Sequence, residues 1–577
     1  MRVRKGGMLR QAAKGQEKGK QYDNDKDEVT ASMKKNVWTT AVLTTALAAT
    51  VITGCESRST TEKPAETTKA EQKKTPDNLN LSGFPVVSSP ITLTLMGSKT
   101  ANQLAWNDMV FFQEMEKLTN IKFTFDTPAA ESYKEKLNLR FASGNLPDVL
   151  FGANLQPADE IMFGGQGQLI PLEKLIADYA PNIRKLLDDN PDIRRNITTP
   201  DGHIYSLPFI DTPDAFGVYP KLWINESWLK ALNLQMPKTV DELVAVLRAF
   251  KNNDPNKNGK QDEIPMSFNL AAAGGVPDIQ NVLLNAFGFT GPMSVDKDNV
   301  RFAPAAPEYK AYLSFMNQLY TEGLLDKEGY SQTVQQKNAK GNAGRIGVFA
   351  AGGPFQVVGN DQDKNYSILP PLTSQVNATP FAVRANNLTK GTFAITKSNK
   401  SPEATIRWVD YLYSAEGALL AAQGIEGKHY EYVDNKQGLK ALVPAGANPA
   451  EFRGTISPNA GTLIPRIHEP VQKLNNYNLK ETNPLNYHIE QETNSKLRPI
   501  ARNSFPLIYF SMEQQQQLKV LETDISTYVN EMSGKFTVGD VALDSKWNEY
   551  TATLDKMNVK QYVSIYQQAY NQWAANK

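Results

Sequence analysis

Ile91-Thr92-Leu93-Thr94-Leu95-Met96 opens the stretch that decides the fold, and Pro147-Asp148-Val149-Leu150-Phe151 closes it. Apolar and polar residues alternate in the first run, the period of a strand with one face buried. Ile121-Lys122-Phe123-Thr124-Phe125 alternates in the same way. Between the first two runs, Met109, Phe112, Met115 and Leu118 fall on one helical stripe. A second helix, Tyr133 to Ser143, leads into the third run. Strand, helix, strand, helix, strand with short joints predicts an α/β fold with a parallel sheet. Ligands of such sheets sit beyond the carboxyl ends of the strands. That places Gly97-Ser98-Lys99 and Gly152-Ala153-Asn154 on a binding rim.

Working outward toward the amino end, the character changes. Lys34 and Lys35 precede an apolar run, Val37 to Ile52, and small residues Thr53 and Gly54 precede Cys55, the single cysteine of the 577 residues. This is signal-peptide anatomy over 33–54, ending on a cysteine placed for lipidation. A transmembrane anchor competes, but the run is short and rich in threonine for a span. Residues 1–32 are polar and without hydrophobic period, and are expected to be an upstream artefact, with the start at Met33. Residues 55–88, rich in Thr, Lys, Glu and Pro, are expected to be a disordered tether. The chain is expected at the cell membrane, lipid-anchored through Cys55 and facing the extracellular side. With one cysteine there is no intrachain disulfide to stabilise an exported fold.

Composition narrows the function. Formal net charge is +1, and no basic stretch argues for nucleic acid. The four histidines, His203, His429, His468 and His488, form no zinc motif. No nucleophile elbow, Walker loop or dinucleotide glycine motif is present. The chain is therefore read as a non-enzyme. Paired carboxylates can stand anywhere in a sequence, so a surface-attached carbohydrate-active enzyme (glycoside hydrolase or lyase) stays open as the alternative.

Toward the carboxyl end, Thr239-Val240-Asp241-Glu242 reads as a capping box, followed by the helical stripe Leu243, Val246, Leu247 and Phe250. That helix runs into Asp254-Pro255-Asn256-Lys257-Asn258-Gly259-Lys260-Gln261-Asp262-Glu263. Calcium takes six to eight hard oxygens. Asp254, Asn256 and Asn258, the Lys260 carbonyl, and Asp262 with Glu263 supply that kind of set, with Gly259 allowing the turn. The twelfth position, where an EF-hand places its glutamate, is Pro265. A structural calcium ion is the expectation, against an Asx-rich solvated turn. Farther on, Met266-Ser267-Phe268-Asn269 reads as a strand, and Ser401-Pro402-Glu403 caps a helix with proline at its first position.

Several segments carry a resemblance. Leu146-Pro147-Asp148-Val149-Leu150-Phe151, Gly164-Gly165-Gln166-Gly167, Gly202-His203-Ile204-Tyr205-Ser206-Leu207-Pro208, Trp223-Ile224-Asn225, Gly352-Gly353-Pro354-Phe355 and Gly424-Ile425-Glu426-Gly427-Lys428-His429-Tyr430 occur in that order. The order resembles the family-1 extracellular solute-binding proteins of ABC importers, the group of maltose- and alginate-oligosaccharide-binding receptors. The loop ending Asp262-Glu263-Ile264-Pro265 is similar to the calcium loop of the alginate-binding branch. The resemblance implies a two-lobed periplasmic-binding-protein-like fold with segmented lobes, a hinge and a ligand cleft. The implied division is 89–210 as the first lobe, 211–370 as the second with calcium loop 254–263, 371–500 mainly the first lobe again, and 501–577 as C-terminal helices. Crossings are expected near 208–214 and 370–376, and the loop 270–278 is expected to face the cleft. The implied ligand contacts are Asn154, Phe209, Phe355, Arg384, His429 and Tyr430. Phe355 matches the aromatic that stacks on a sugar ring, and Arg384 suits an acidic sugar. The implied partners are an oligosaccharide ligand and the permease subunits of an ABC transporter, with the receptor a monomer. Neutral sugars, uronate oligomers and peptides all stay open as ligand.

Overall fold

The structure is a computed structural model that describes residues 77–211, 217–218, 221–270, 277–386 and 388–576. Cys55, the signal segment 33–54 and residues 1–32 lie outside the described residues, as do 55–76 of the expected tether. Among the described residues, no helix is long and apolar enough to cross a membrane. The described residues all fall in one compact unit, Lys74–Lys577.

Residues 77–88 are not a tether. Leu79, Val86 and Val87 are buried in the first core. Arg407 donates to the carbonyls of Asn80 and Gly83, fixing the strip in place. A polar composition hid three apolar side chains with a core to enter.

From there the chain runs β1 (Ile91–Met96), α1 (Val110–Thr119), β2 (Ile121–Asp126), α2 (Ala130–Ser143), β3 (Val149–Phe151), α3 (Pro157–Gly165), α4 (Pro181–Asp189), α5 (Pro191–Ile197) and β4 (Leu207–Ile210). It passes to β5 (Lys221–Asn225), α6 (Val240–Asn252), β6 (Ile264–Met266), β7 (Ile346–Ala351) and β8 (Tyr366–Ile368). It returns through β9 (Ala382–Arg384) to β10 (Leu388–Ile395), α7 (Pro402–Asp410) and β11 (Arg466–Ile467). It ends with α8 (Pro484–Lys496), β12 (Ala501–Asn503), α9 (Met512–Val538), α10 (Leu543–Lys556) and α11 (Val559–Ala575).

Two sheets result. The first has the order β11-β4-β10-β3-β1-β2. Its β1 pairs parallel with β2 and β3, as the alternation predicts. The sheet is mixed, however, because β10 returns antiparallel between β3 and β4. The third strand starts at Val149. Pro147 has no N–H to give, and the Asp148 carboxylate accepts from the Thr94 N–H and Oγ1 at 2.7 and 2.8 Å. The second sheet has the order β8-β5-β7-β6, with β5 antiparallel to both neighbours. Each sheet has its own core. Phe111, Phe151, Phe393 and Trp408 are buried in one, and Leu222, Leu247, Phe250 and Val348 in the other.

Other local expectations meet their physical limits. Thr239 does cap α6, accepting from the Glu242 N–H at 3.1 Å, but Glu242 takes the Lys238 N–H rather than that of Thr239. Ser401 does not cap α7 with its side chain; its carbonyl takes the Thr405 hydroxyl instead. The strand expected over 266–269 ends at Met266. Beyond it, the Phe268 carbonyl accepts from the buried Gln332 amide instead of a ladder partner.

The lobes interleave. Ile489 and Leu497 pack with Trp223, Phe349 and Tyr366, so residues 484–497 belong beside the second sheet, although 371–500 was expected mainly in the first lobe. The C-terminal helices complete the second core with Leu518, Ile525, Val529, Phe536, Tyr550 and Ile565. The expected crossing at 370–376 is pinned to the second lobe. Thr373 bonds the backbones of Val240 and Lys238, and Ser374 Oγ reaches the Ala286 carbonyl. The passage into the first sheet comes later, between Arg384 and Leu388. Of the other crossing, 212–216 and 219–220 lie outside the described residues.

Candidate functional site

The chain leaves the first sheet at the carboxyl end of β4 and re-enters it at the amino end of β10, which lies beside it, Leu388 opposite Ile210. The second lobe therefore stands over the carboxyl-end rim, where a ligand of an open α/β sheet sits.

On the first rim, Asn154 is exposed and left-handed (φ 49°), a conformation asparagine tolerates better than most residues. Phe209 is buried on β4, and its ring lies under the Arg466 guanidinium at 4.9 Å. Arg466 is only 3 % exposed and donates to Asn459 Oδ1 at 3.2 and 3.0 Å. Burial pulls its guanidinium down to about 10. Next to it, His468 Nδ1 meets Asp211 Oδ1 at 2.7 Å. Sequence reasoning missed Arg466, His468 and Asp211. Nothing local marks them, because the bonds join β4 to a strand that begins at residue 466.

On the second rim, the Phe355 N–H donates to Asp363 Oδ1 at 2.9 Å, and Asp363 Oδ2 holds His488 Nδ1 at 2.7 Å. That bond raises the His488 imidazole above its ordinary value. The Phe355 ring, half-buried, lies across Gly353, where a Cβ would collide with it and with Ile489. Asp278 closes the base of the loop expected at the cleft, bonding Lys337 at 2.6 Å; residues 271–276 lie outside the described residues.

The remaining expected contacts are elsewhere. His429 accepts the Ile425 N–H on Nδ1 at 3.1 Å, and burial lowers its imidazole. Tyr430 is buried in a satellite cluster with Ala418, Leu419 and Val471, its hydroxyl raised by burial. The His429 ring lies 5.9 Å from that of Phe452, tilted by 34°, and the helix Pro449–Ile456 meets the first rim where Leu104 N–H donates to the Gly454 carbonyl at 3.1 Å. Arg384 ends β9, half-buried, and lines a cavity of about 730 Å³ that contains none of the other five. Asn154 and Phe209 thus lie on the first rim and Phe355 on the second, while Arg384 and the pair His429 and Tyr430 stand apart.

The loop 254–263 after α6 is built of Asx turns. Asp254 accepts from the N–H groups of Asn258 and Gly259, Asn256 from Asn258, and Asn258 from Lys260. Asp262 pairs with Arg345 at 3.1 Å. Both carboxylate oxygens of Glu263 are buried without a partner in the protein. Burial first, then Asp254 and Asp262, push its carboxyl up. Among the described residues, no three His, Cys, Asp or Glu side chains converge as a ready metal cluster. The donor set here mixes carboxylate and amide oxygens, the kind a hard cation accepts.

The family model for bacterial extracellular solute-binding proteins matches residues 97–419. The fructooligosaccharide ABC transporter substrate-binding protein FusA of Streptococcus pneumoniae serotype 4 is 30% identical over 572 residues, 93% of this chain and 98% of that protein. The polygalacturonan/rhamnogalacturonan-binding protein YtcQ of Bacillus subtilis is 23% identical over 499 residues, 82% of this chain and 93% of that protein. Solved structures of FusA, in complex with kestose and as an EF-hand mutant in complex with fructo-nystose, are each similar at TM-score 0.65 and 29% identity. Each covers 84% of this chain and 100% of that one.

Proposed function

We propose, on the premise that this chain belongs to the family of bacterial extracellular solute-binding proteins, that it captures an oligosaccharide between its two rims and delivers it to an ABC permease. It is a binding protein and not an enzyme, as are its relatives. The observation that carries the oligosaccharide is the match to FusA along nearly the whole of both chains. The rims supply what a sugar needs. Phe355 offers stacking area, held in place through Asp363. Asn154, His468 and Asp211 offer polar edges that fix hydroxyl orientation. Closure of the lobes on the ligand is the state the permease recognises.

A calcium ion in the loop 254–263 completes the reading. Asp254, Asn256, Asn258, the Lys260 carbonyl, Asp262 and Glu263 would hold it, and the partnerless Glu263 oxygens support the fit. Its contribution is structural charge neutralisation. The receptor acts as a monomer tied to the outer face of the membrane through a lipid on Cys55.

A thermal-shift screen tests the function, using kestose, fructo-nystose and oligogalacturonides. A ligand at 100 times its dissociation constant adds about 2.7 kcal/mol. A saturable rise in melting temperature, with the sugar recovered intact, supports a receptor. No shift with any oligosaccharide, or recovery of shortened sugar, overturns it.

A further inference from the structure

We propose that the cavity of about 730 Å³ at the crossings is a second binding site, for a small sugar acid carrying one carboxylate and several hydroxyls. None of the rim residues Asn154, Phe209, Phe355, Arg466 and His468 lines it, so it is separate from the oligosaccharide site. Its volume lies within the range of roughly 300–1,000 Å³ typical of small-molecule sites.

The walls come from both lobes and two passing segments. The ends of β9 and β12, paired Arg384 opposite Asn503, form one side. The joint of α4 and α5 forms another, and the last turns of α11 a third. The aromatic wall is fixed before any ligand arrives. Trp573 Nε1 donates to Asn196 Oδ1 at 2.9 Å, and its ring lies 5.0 Å from the Arg195 guanidinium. The Tyr570 hydroxyl donates to Asp298 at 3.0 Å. A preset wall removes part of the ordering cost of binding.

Charge selects the class. Of the lining acids, Asp192 pairs with Arg195 and Asp189 with Lys185. Among the described residues, only the Arg384 guanidinium lines the cavity without an ionic partner. Its fork matches a carboxylate bidentately. Close by, Ser504 also lines the cavity. At the far end, Asp189 and Asp192 would repel a bare anion but accept hydroxyl hydrogens. One carboxylate at the Arg384 end, hydroxyls toward α4 and α5, and a ring face against Trp573 describe a sugar acid.

Isothermal titration of the full chain tests this, with D-galacturonate and D-glucuronate as probes and D-galactose, D-glucose and inorganic phosphate as comparisons. A uronate is expected to saturate at one site, at least about tenfold tighter than its neutral hexose. Arg384→Gln is expected to weaken it about tenfold with no change in melting temperature, and Ser504→Ala to weaken it less. Phe355→Ala is expected to leave it unchanged, while oligosaccharide binding weakens. Absence of saturation with both uronates overturns the site, as does indifference to Arg384→Gln. Phosphate binding as tight as uronate overturns the ligand class. Loss of uronate binding in Phe355→Ala would place the probe at the rims instead. Oligosaccharide binding is read separately, so failure here leaves the receptor reading standing.

Discussion

Asp363 joins two residues far apart in the chain, holding the backbone of Phe355 and the ring of His488. The protonated imidazole is favoured in the folded state, so this bond contributes stability below the unfolded value of about 6.5, and the contribution fades as pH rises through the folded value. Urea midpoints measured from pH 5 to 9 are expected to fall in that window for the parent and to stay flatter for His488→Gln. Parallel curves would refute the assignment. If Phe355 stacks on the sugar as proposed, Phe355→Ala lowers oligosaccharide affinity about tenfold, near 1.4 kcal/mol, by titration calorimetry. Phe355 was singled out by its Gly-Pro-aromatic context, and the structure sets it just past the end of β7 with its N–H on Asp363. The pairing of Phe209 with Arg466 was not legible in the sequence, because cation and ring meet only when β11 docks beside β4. His429 was singled out from a motif, yet its Nδ1 serves the turn that contains it.

Among the elements, the alternating strands and amphipathic helices of 91–151 were readable because period and burial agree there. The limits came at element ends, where a neighbour intervenes: Asp148 bonds to Thr94, and Ser401 leaves α7 without a side-chain cap. In the loop 254–263 the sequence pattern points to a cation, and the structure shows a set of Asx turns around Asp254, Asn256 and Asn258. If a cation neutralises Asp254, Asp262 and Glu263, excess chelator lowers the melting temperature of the parent, and Glu263→Gln reduces that response. An unchanged melt in chelator, with no metal by elemental analysis, would dismiss the ion. The helices α9 to α11 were readable as helices but not as part of the second core. Phe536 is fully buried there. Phe536→Ala is expected to cost about 3–5 kcal/mol by denaturant unfolding, and a loss under 1 kcal/mol would mean the helices only decorate the lobe.

At the scale of the molecule, the two-lobed plan was inferred from the order of motifs, whereas the boundaries came only from packing. The strip 77–88 joined the first core, and 484–497 joined the second lobe, because their few apolar residues found partners remote in sequence. Closure around a ligand predicts a smaller radius of gyration by X-ray scattering when a binding oligosaccharide is saturating. An unchanged radius would mean capture without lobe movement.

The interleaving of the lobes also governs when this protein can acquire its structure. The first sheet lacks its central strand until β10, residues 388–395, exists, and the second core lacks a wall until α9 to α11 are made. Neither half has its full core before those later segments are made. Contacts between distant positions slow the search for the native state and hold the chain open for longer. For a polypeptide of an exported family, such a delay would leave the chain open for longer before its lobes form.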